Sequence, residues 1–267
     1  MAIVGTLLFA FYAAAGLVVY AMFGEGAIPL VLVGSVVLIG FQYKVGKWAA
    51  LRSVGAEDMP ENGQFQRIHQ QVESMSRDMG IDKPRLMVAD MGVPNAFAVG
   101  RKGAGTVVVS RELLQLLEDD EVEGVLAHEL AHIANRDVVM MVLGQGIASI
   151  VGLVAQFAVL LAGDNDLADF FLAIVVGNLV QFFVMLFVLA ISRYREYVAD
   201  ADARRVIGSG DPLARALSKI SRGAEGRESK IDEDVSALCI FGTNGSFLSK
   251  IVSTHPPMEK RIERLRN

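Results

Sequence analysis

The chain has 267 residues, 25 Lys and Arg against 30 Asp and Glu, a net charge of −5, four His and one Cys. Hydrophobic residues make up 52% of it, gathered into long uncharged runs of the kind that span a bilayer rather than spread through a soluble core. The acidic balance, with no basic block, excludes a nucleic-acid surface. The lone Cys239 excludes an internal disulfide and a Cys-rich zinc site, and reads as a small buried hydrophobe.

Residues 1–43 read as a transmembrane hairpin. Ile3 to Phe23 is uncharged and long enough to cross a bilayer, and after the turn Gly24-Glu25-Gly26 a second uncharged run extends from Ala27 to Tyr43. No Lys or Arg precedes the first run and a second follows at once, which argues against a signal peptide. Residues 44–137 are polar and mixed. Phe65, Ile68, Val72, Met75 and Met79 predict an amphipathic helix over Glu61 to Met79, stopped by Gly80. His69 on that helix is expected to be exposed and not a ligand. Short strands are predicted over Arg85 to Ala89, Ala96 to Val99 and Thr106 to Val109. Ser110 caps a helix from Arg111 to Leu117. Asp119 or Asp120 opens the next helix, with Glu123 as capping-box partner of Asp120.

Residues 138–192 form a second hairpin: Val138 to Ala162 and Phe170 to Ser192 are uncharged, and Gly163-Asp164-Asn165-Asp166 turns between them. Any single run could be a buried core helix; four runs in two hairpins argue for spans. Residues 193–267 are polar again. A charged helical stretch begins at Arg193, a helix begins at Asp211-Pro212 with Pro in the first turn, and Pro256 or Pro257 starts a final basic helix. Lys44, Lys47, Arg52, Arg136, Arg193, Arg195, Arg204 and Arg205 flank the runs on one side, whereas the turns at 24–26 and 163–169 carry no Lys or Arg. The positive-inside rule then places both termini and both polar blocks in the cytoplasm, with the chain in the cell membrane.

The chemistry centres on His128-Glu129-Leu130-Ala131-His132. On a helix this spacing sets two imidazoles one turn apart on one face, where both can bind one Zn²⁺, while the Glu between them can act as general base on the attacking water. A third ligand is then needed. The extended pattern with a third histidine would require a glycine three residues after His132 and a histidine six after it, but the chain has Asn135 and Val138. Asp164, Asp166 and Asp169 fall in the turn across the membrane, so the first acidic residue back on the side of the motif is Glu196, with Asp200 one turn on. Read alone, the pair belongs to a solvated helix following a span. Read with the two His, Glu196 becomes the third ligand and Asp200 orients a ligand His through its other ring nitrogen.

Three segments together carry a family resemblance: His128-Glu129-x-x-His132, Ser192-Arg193-x-Arg195-Glu196-x-x-Ala199-Asp200-Ala201, and Thr254-His255-Pro256-Pro257-x-x-Lys260-Arg261-Ile262. They resemble the HtpX family of membrane zinc endopeptidases, related to the prenyl-protein CaaX proteases, and Asn95-Ala96-Phe97-Ala98-x-Gly100 resembles a further segment of it. The resemblance implies one Zn²⁺ per chain held by His128, His132 and Glu196, with Glu129 as catalytic base. It also implies a role in membrane-protein quality control. The expected fold is a mainly α membrane protein, four transmembrane helices in two hairpins with a cytoplasmic α+β zincin-like catalytic region. The expected partners are protein substrates and the lipid bilayer; nothing in the sequence specifies an oligomeric state.

Three features stay open at the level of sequence. His255 either donates to the oxyanion of the tetrahedral intermediate or merely lies at the start of the last helix. Asn95, Ala96, Phe97 and Ala98 either offer an edge strand to an extended substrate or form an ordinary sheet edge. The chain itself is an endopeptidase, a membrane scaffold with a zinc site, or a CaaX-type protease; too few Cys and His for a closed structural zinc site count against the scaffold, and too few spans for a large intramembrane chamber count against the last.

Overall fold

The computed structural model describes residues 21, 23–24, 26–163, 167–224 and 255–267. The first predicted span, apart from Ala21 and Phe23, and Cys239 lie outside them. In chain order the elements are α1 (Ala27–Ser53), β1 (Glu57–Asp58), α2 (Gln66–Asp78), β2 (Arg85–Ala89), β3 (Ala96–Val99), β4 (Thr106–Ser110), α3 (Arg111–Leu116), α4 (Asp119–Ala134), α5 (Asp137–Ala162), α6 (Leu167–Ile207), α7 (Asp211–Ala224) and α8 (Met258–Arg266). They fall into two units: residues 1–45 with 140–191, and residues 46–139 with 192–267.

The second unit is built on a four-stranded sheet in the order β1-β2-β4-β3. β2 runs parallel to β4, while β3 pairs antiparallel with β4 and β1 antiparallel with β2. The β3–β4 hairpin depends on Gly100, whose φ is +115° and where an added Cβ would collide with the Ala104 carbonyl. Strand alternation sends Leu86, Val88, Ala98, Val107 and Val109 to one face, where they join Val72 and Met75 of α2, Val125, Leu126 and Leu130 of α4, and Leu213 and Leu217 of α7. Met87, Ala89, Phe97 and Val108 point to the other face and pack with Ala50 and Val54. A sheet covered on both faces explains why every residue of β3 and β4 is buried. Gly124 allows α4 and α7 to touch: a Cβ there would lie 2.8 Å from the Leu213 backbone nitrogen.

Several predicted boundaries shift for local reasons. Gly63 has φ +59°, so residues 63–65 form a 3₁₀ turn and α2 begins only at Gln66. Ser110 accepts from the Leu113 amide as expected. At α4 the cap is Glu118, not an aspartate, and its capping-box partner is Glu121. Lys219 bonds both carboxylates, drawing Glu121 inward, and Glu123 instead accepts from Gln71. His69 is buried rather than exposed, because its Nε2 lies 3.1 Å from the Met59 carbonyl. The fourth predicted run and the charged stretch after it are one uninterrupted helix, α6.

In the first unit, the apolar parts of α5 and α6 approach through small residues. A Cβ on Gly152 would lie 2.9 Å from the Gly177 carbonyl, and one on Gly144 would lie 3.0 Å from Val188. Phe157, Phe170, Phe171, Phe182, Phe183 and Phe187 face outward. Among the described residues, α5 and α6 are the two helices long and apolar enough to cross a membrane. α1 covers the second predicted run and continues to Ser53.

Candidate metal centre

α4 is apolar on most sides, so packing against the sheet and α7 locks it in place and fixes the direction of its polar face. On that face the Nε2 atoms of His128 and His132 lie 3.1 Å apart. α6 contributes Glu196, with Oε2 3.6 Å from His128 Nε2 and Oε1 3.4 Å from His132 Nε2. Four donors each about 2.1 Å from a common centre lie about 3.4 Å apart in a tetrahedron. The three separations bracket that edge, so the donor set fits a small N/O-ligated cation.

Each imidazole is held from behind by a carboxylate, and each carboxylate by an arginine. His128 Nδ1 lies 3.0 Å from Asp200 Oδ1, and Arg261 donates to Asp200 from Nε at 2.9 Å and from Nη2 at 2.7 Å. His132 Nδ1 lies 2.6 Å from Asp137 Oδ2, and Arg195 Nε is 2.6 Å from Asp137 Oδ1. An ionised carboxylate cannot donate, so each Nδ1 carries the ring proton. The two Nε2 atoms then face each other 3.1 Å apart, with the Glu196 carboxylate beside both. Arg261 also reaches Glu196, Nη1 to Oε2 at 2.9 Å, and His255 Nδ1 lies 3.1 Å from the same oxygen.

Charge counting leads to the same place. Glu129, Asp137, Glu196 and Asp200 are buried together, and among the described residues the guanidinium groups buried with them are those of Arg195 and Arg261. Four carboxylates against two guanidinium groups make the cluster acidic, and the neighbouring imidazoles, a proton on Glu129 or a bound cation can balance it. Burial pushes the Glu129 carboxyl up from its ordinary value, against the pull of His132 and His128. Burial alone would lower Arg261, but the carboxylates of Asp200 and Glu196 overcome it and raise it.

Residues 62–267 match the model of peptidase family M48. The chain belongs to that family. It is 67% identical over its whole length to a full-length "Protease HtpX homolog" of Halobacterium salinarum. It is 38% identical to another of Pyrococcus abyssi, over 82% of this chain and 77% of that one. The crystal structure of S. mikatae Ste24p shares the fold with a TM-score of 0.59 at 19% identity, covering 99% of this chain and 62% of the other. The chain is therefore an M48 metalloprotease, a hydrolase that takes protein substrates and requires a metal ion. With its two long apolar helices it is a membrane protein.

Of the residues singled out in the sequence, His128, His132, Glu196, Asp200 and His255 come together here, and Glu129 is buried within the same helix. Asn95 to Ala98 are not among these side chains but lie on and beside the strand that packs against the same helix. Ala96, Phe97 and Ala98 belong to the terminal strand β3, which packs against α4, and buried Asn95 accepts from the Ala96 amide through Oδ1. Sequence reasoning misses the roles of Asp137, Arg195 and Arg261. In the sequence Asp137 is an ordinary acidic opening to an apolar helix. Arg195 counts there among the cations that orient the chain, whereas it is buried on Asp137.

Proposed function

We propose that the protein is a zinc-dependent endopeptidase that cleaves membrane proteins or misfolded segments near the membrane, in the service of membrane-protein quality control. The observation that carries the reading is the convergence of the Nε2 atoms of His128 and His132 and the Glu196 carboxylate within metal-ligand distance of one another. His128, His132 and Glu196 would hold the metal, and the two imidazoles with one carboxylate suit zinc. Bound zinc supplies Lewis acidity, polarising the scissile carbonyl and acidifying water.

The chain's own residues do the rest. Glu129 would take the proton from the attacking water and deliver it to the leaving amine. Asp200 keeps His128 in the tautomer that presents Nε2. His255, beside Glu196, donates to the carbonyl oxygen as negative charge builds on it. β3 is the last strand of its sheet, and its outer edge from Ala96 to Ala98, entered from Asn95, would pair with an extended substrate once Asn95 Oδ1 releases the Ala96 amide.

The same reading has four transmembrane helices in two hairpins, residues 1–43 and 138–192, with residues 44–137 and 193–267 forming a cytoplasmic catalytic region at the cell membrane. The distribution of Lys and Arg supports it.

Glu129→Gln tests the chemistry, because it keeps the shape and removes the base. The variant should retain wild-type metal content and lose casein cleavage by at least about 100-fold. Cleavage at the wild-type rate would remove Glu129 from the mechanism. Full activity in metal-stripped wild type would remove the metal.

A further inference from the structure

The turn between α4 and α5 is unusually constrained. α4 ends on Asn135, whose amide donates to the Ala131 carbonyl at 2.8 Å, and Arg136 then adopts φ +58°. Among the described residues Arg136 is the one non-glycine with positive φ, a conformation that costs an L-residue roughly 1 kcal/mol or more. The Arg136 side chain is exposed, so nothing about it rewards the strain. What the turn achieves is the position of the next residue. Asp137, first in α5, folds back over the final turn of α4 and places Oδ2 2.6 Å from His132 Nδ1.

Asp137 is 4% exposed, so its charge needs partners. It has the α5 N-terminus, the His132 ring proton and Arg195, which is 5% exposed and sits one residue before Glu196. The arrangement mirrors the one at His128, where Asp200 backs the ring and Arg261 backs the carboxylate. A second bond joins the same elements without touching either ring: Asn135 Nδ2 donates to Asp202 Oδ2 at 2.9 Å.

We propose that Asp137, clamped by Arg195, is a positioning residue for the metal site: it fixes the ring orientation and tautomer of His132 as Asp200 does for His128. The inference rests on His132 being a metal ligand. Asp137 begins one apolar helix and Arg195 closely follows the apolar run of the other. Ligand geometry at His132 is therefore set where the chain enters and leaves the second hairpin, and metal affinity depends on the two ends of that hairpin staying clasped.

The test uses the full chain in mild detergent and measures Zn²⁺ affinity by competition with a chromophoric chelator, alongside the visible spectrum of the Co²⁺-loaded protein. Asp137→Ala should bind zinc about 10–100-fold more weakly and change the Co²⁺ bands. Asp137→Asn keeps a carbonyl acceptor for Nδ1, so its loss should be smaller. Asp202→Ala removes the neighbouring clasp and leaves both rings alone, so it should match wild type in affinity and spectrum. The proposal is overturned if Asp137→Ala binds as wild type does, or if Asp202→Ala loses as much, since the role of Asp137 would then be packing alone. Should Asp137→Ala fail to fold, Asp137→Asn decides, and wild-type affinity and spectrum in it overturn the proposal equally. His132→Ala separates the two levels. Undiminished zinc binding there defeats the metal-site reading itself, whereas loss there with none at Asp137 defeats only the present inference.

Discussion

Glu196 and Asp200 stand one turn apart on α6, both buried and both in contact with Arg261, yet the chemistry asks different things of them. Glu196 faces both Nε2 atoms and Asp200 faces only the rear of His128. Glu196→Ala should therefore abolish zinc binding, while Asp200→Ala should weaken it about 10–100-fold. Bound zinc in the two purified variants gives the comparison, and full occupancy in Glu196→Ala would pass the third-ligand role to another residue. The pattern His-Glu-x-x-His is legible because helical spacing alone brings its two rings together, and Glu196 is legible because it is the first acidic residue after the fourth uncharged run. Asp137 is not, because its side chain reaches His132 only through the left-handed step at Arg136, which no periodicity announces. His69 is misjudged for a related reason. Its place on the helix suggests solvent, but the Met59 carbonyl that buries it comes from a separate segment.

At the scale of elements, α8 is short but holds Arg261, fully buried between Asp200 and Glu196. It docks beside Gly210, where an added Cβ would collide with the Leu265 carbonyl of α8. A backbone atom cannot swing aside as a flexible side chain can, so Gly210→Ala must displace the helix. Overpacking of this kind costs roughly 1–3 kcal/mol, and here it also withdraws the guanidinium that pairs with Asp200 and Glu196. Gly210→Ala should lower the melting temperature and weaken zinc binding together, while an exposed change on α8 such as Lys260→Ala should do neither. Calorimetry with metal titration on both variants checks this, and undiminished zinc affinity in Gly210→Ala would show that α8 contributes nothing to the site. Most strands and helices are legible from spacing and caps. The shifts at Gln66 and Glu118 come from a glycine conformation and from Lys219, 98 residues away from Glu121, and only the latter requires the fold.

For the molecule as a whole, the Lys and Arg asymmetry makes orientation measurable. With Cys239 replaced, single cysteines at Asn62 and Asn165 can be challenged with an impermeant thiol reagent in intact cells. Asn165, in the turn between the third and fourth predicted spans, should label, and Asn62 should label only after the membrane is permeabilised. The reverse pattern would invert the topology. The apolar runs are the plainest signal in the sequence, since a bilayer core of about 30 Å imposes a length that few soluble helices meet. The pairing of α5 with α6 at Gly144, Gly152 and Gly177 is not readable, because a small residue signals close approach without naming its partner.

A cluster of buried carboxylates that a bound cation can balance would tie the lifetime of this protein to metal supply. A cation that binds only the native state adds about 2.7 kcal/mol of stability at a free concentration 100 times its Kd, and the benefit vanishes as the ion is withdrawn. The melting temperature should climb with free zinc and fall under chelation; a curve indifferent to both would mean the surplus is neutralised by protons instead. A cell running short of the ion would then lose more than turnover from this enzyme. It would lose copies of it before any gene responded.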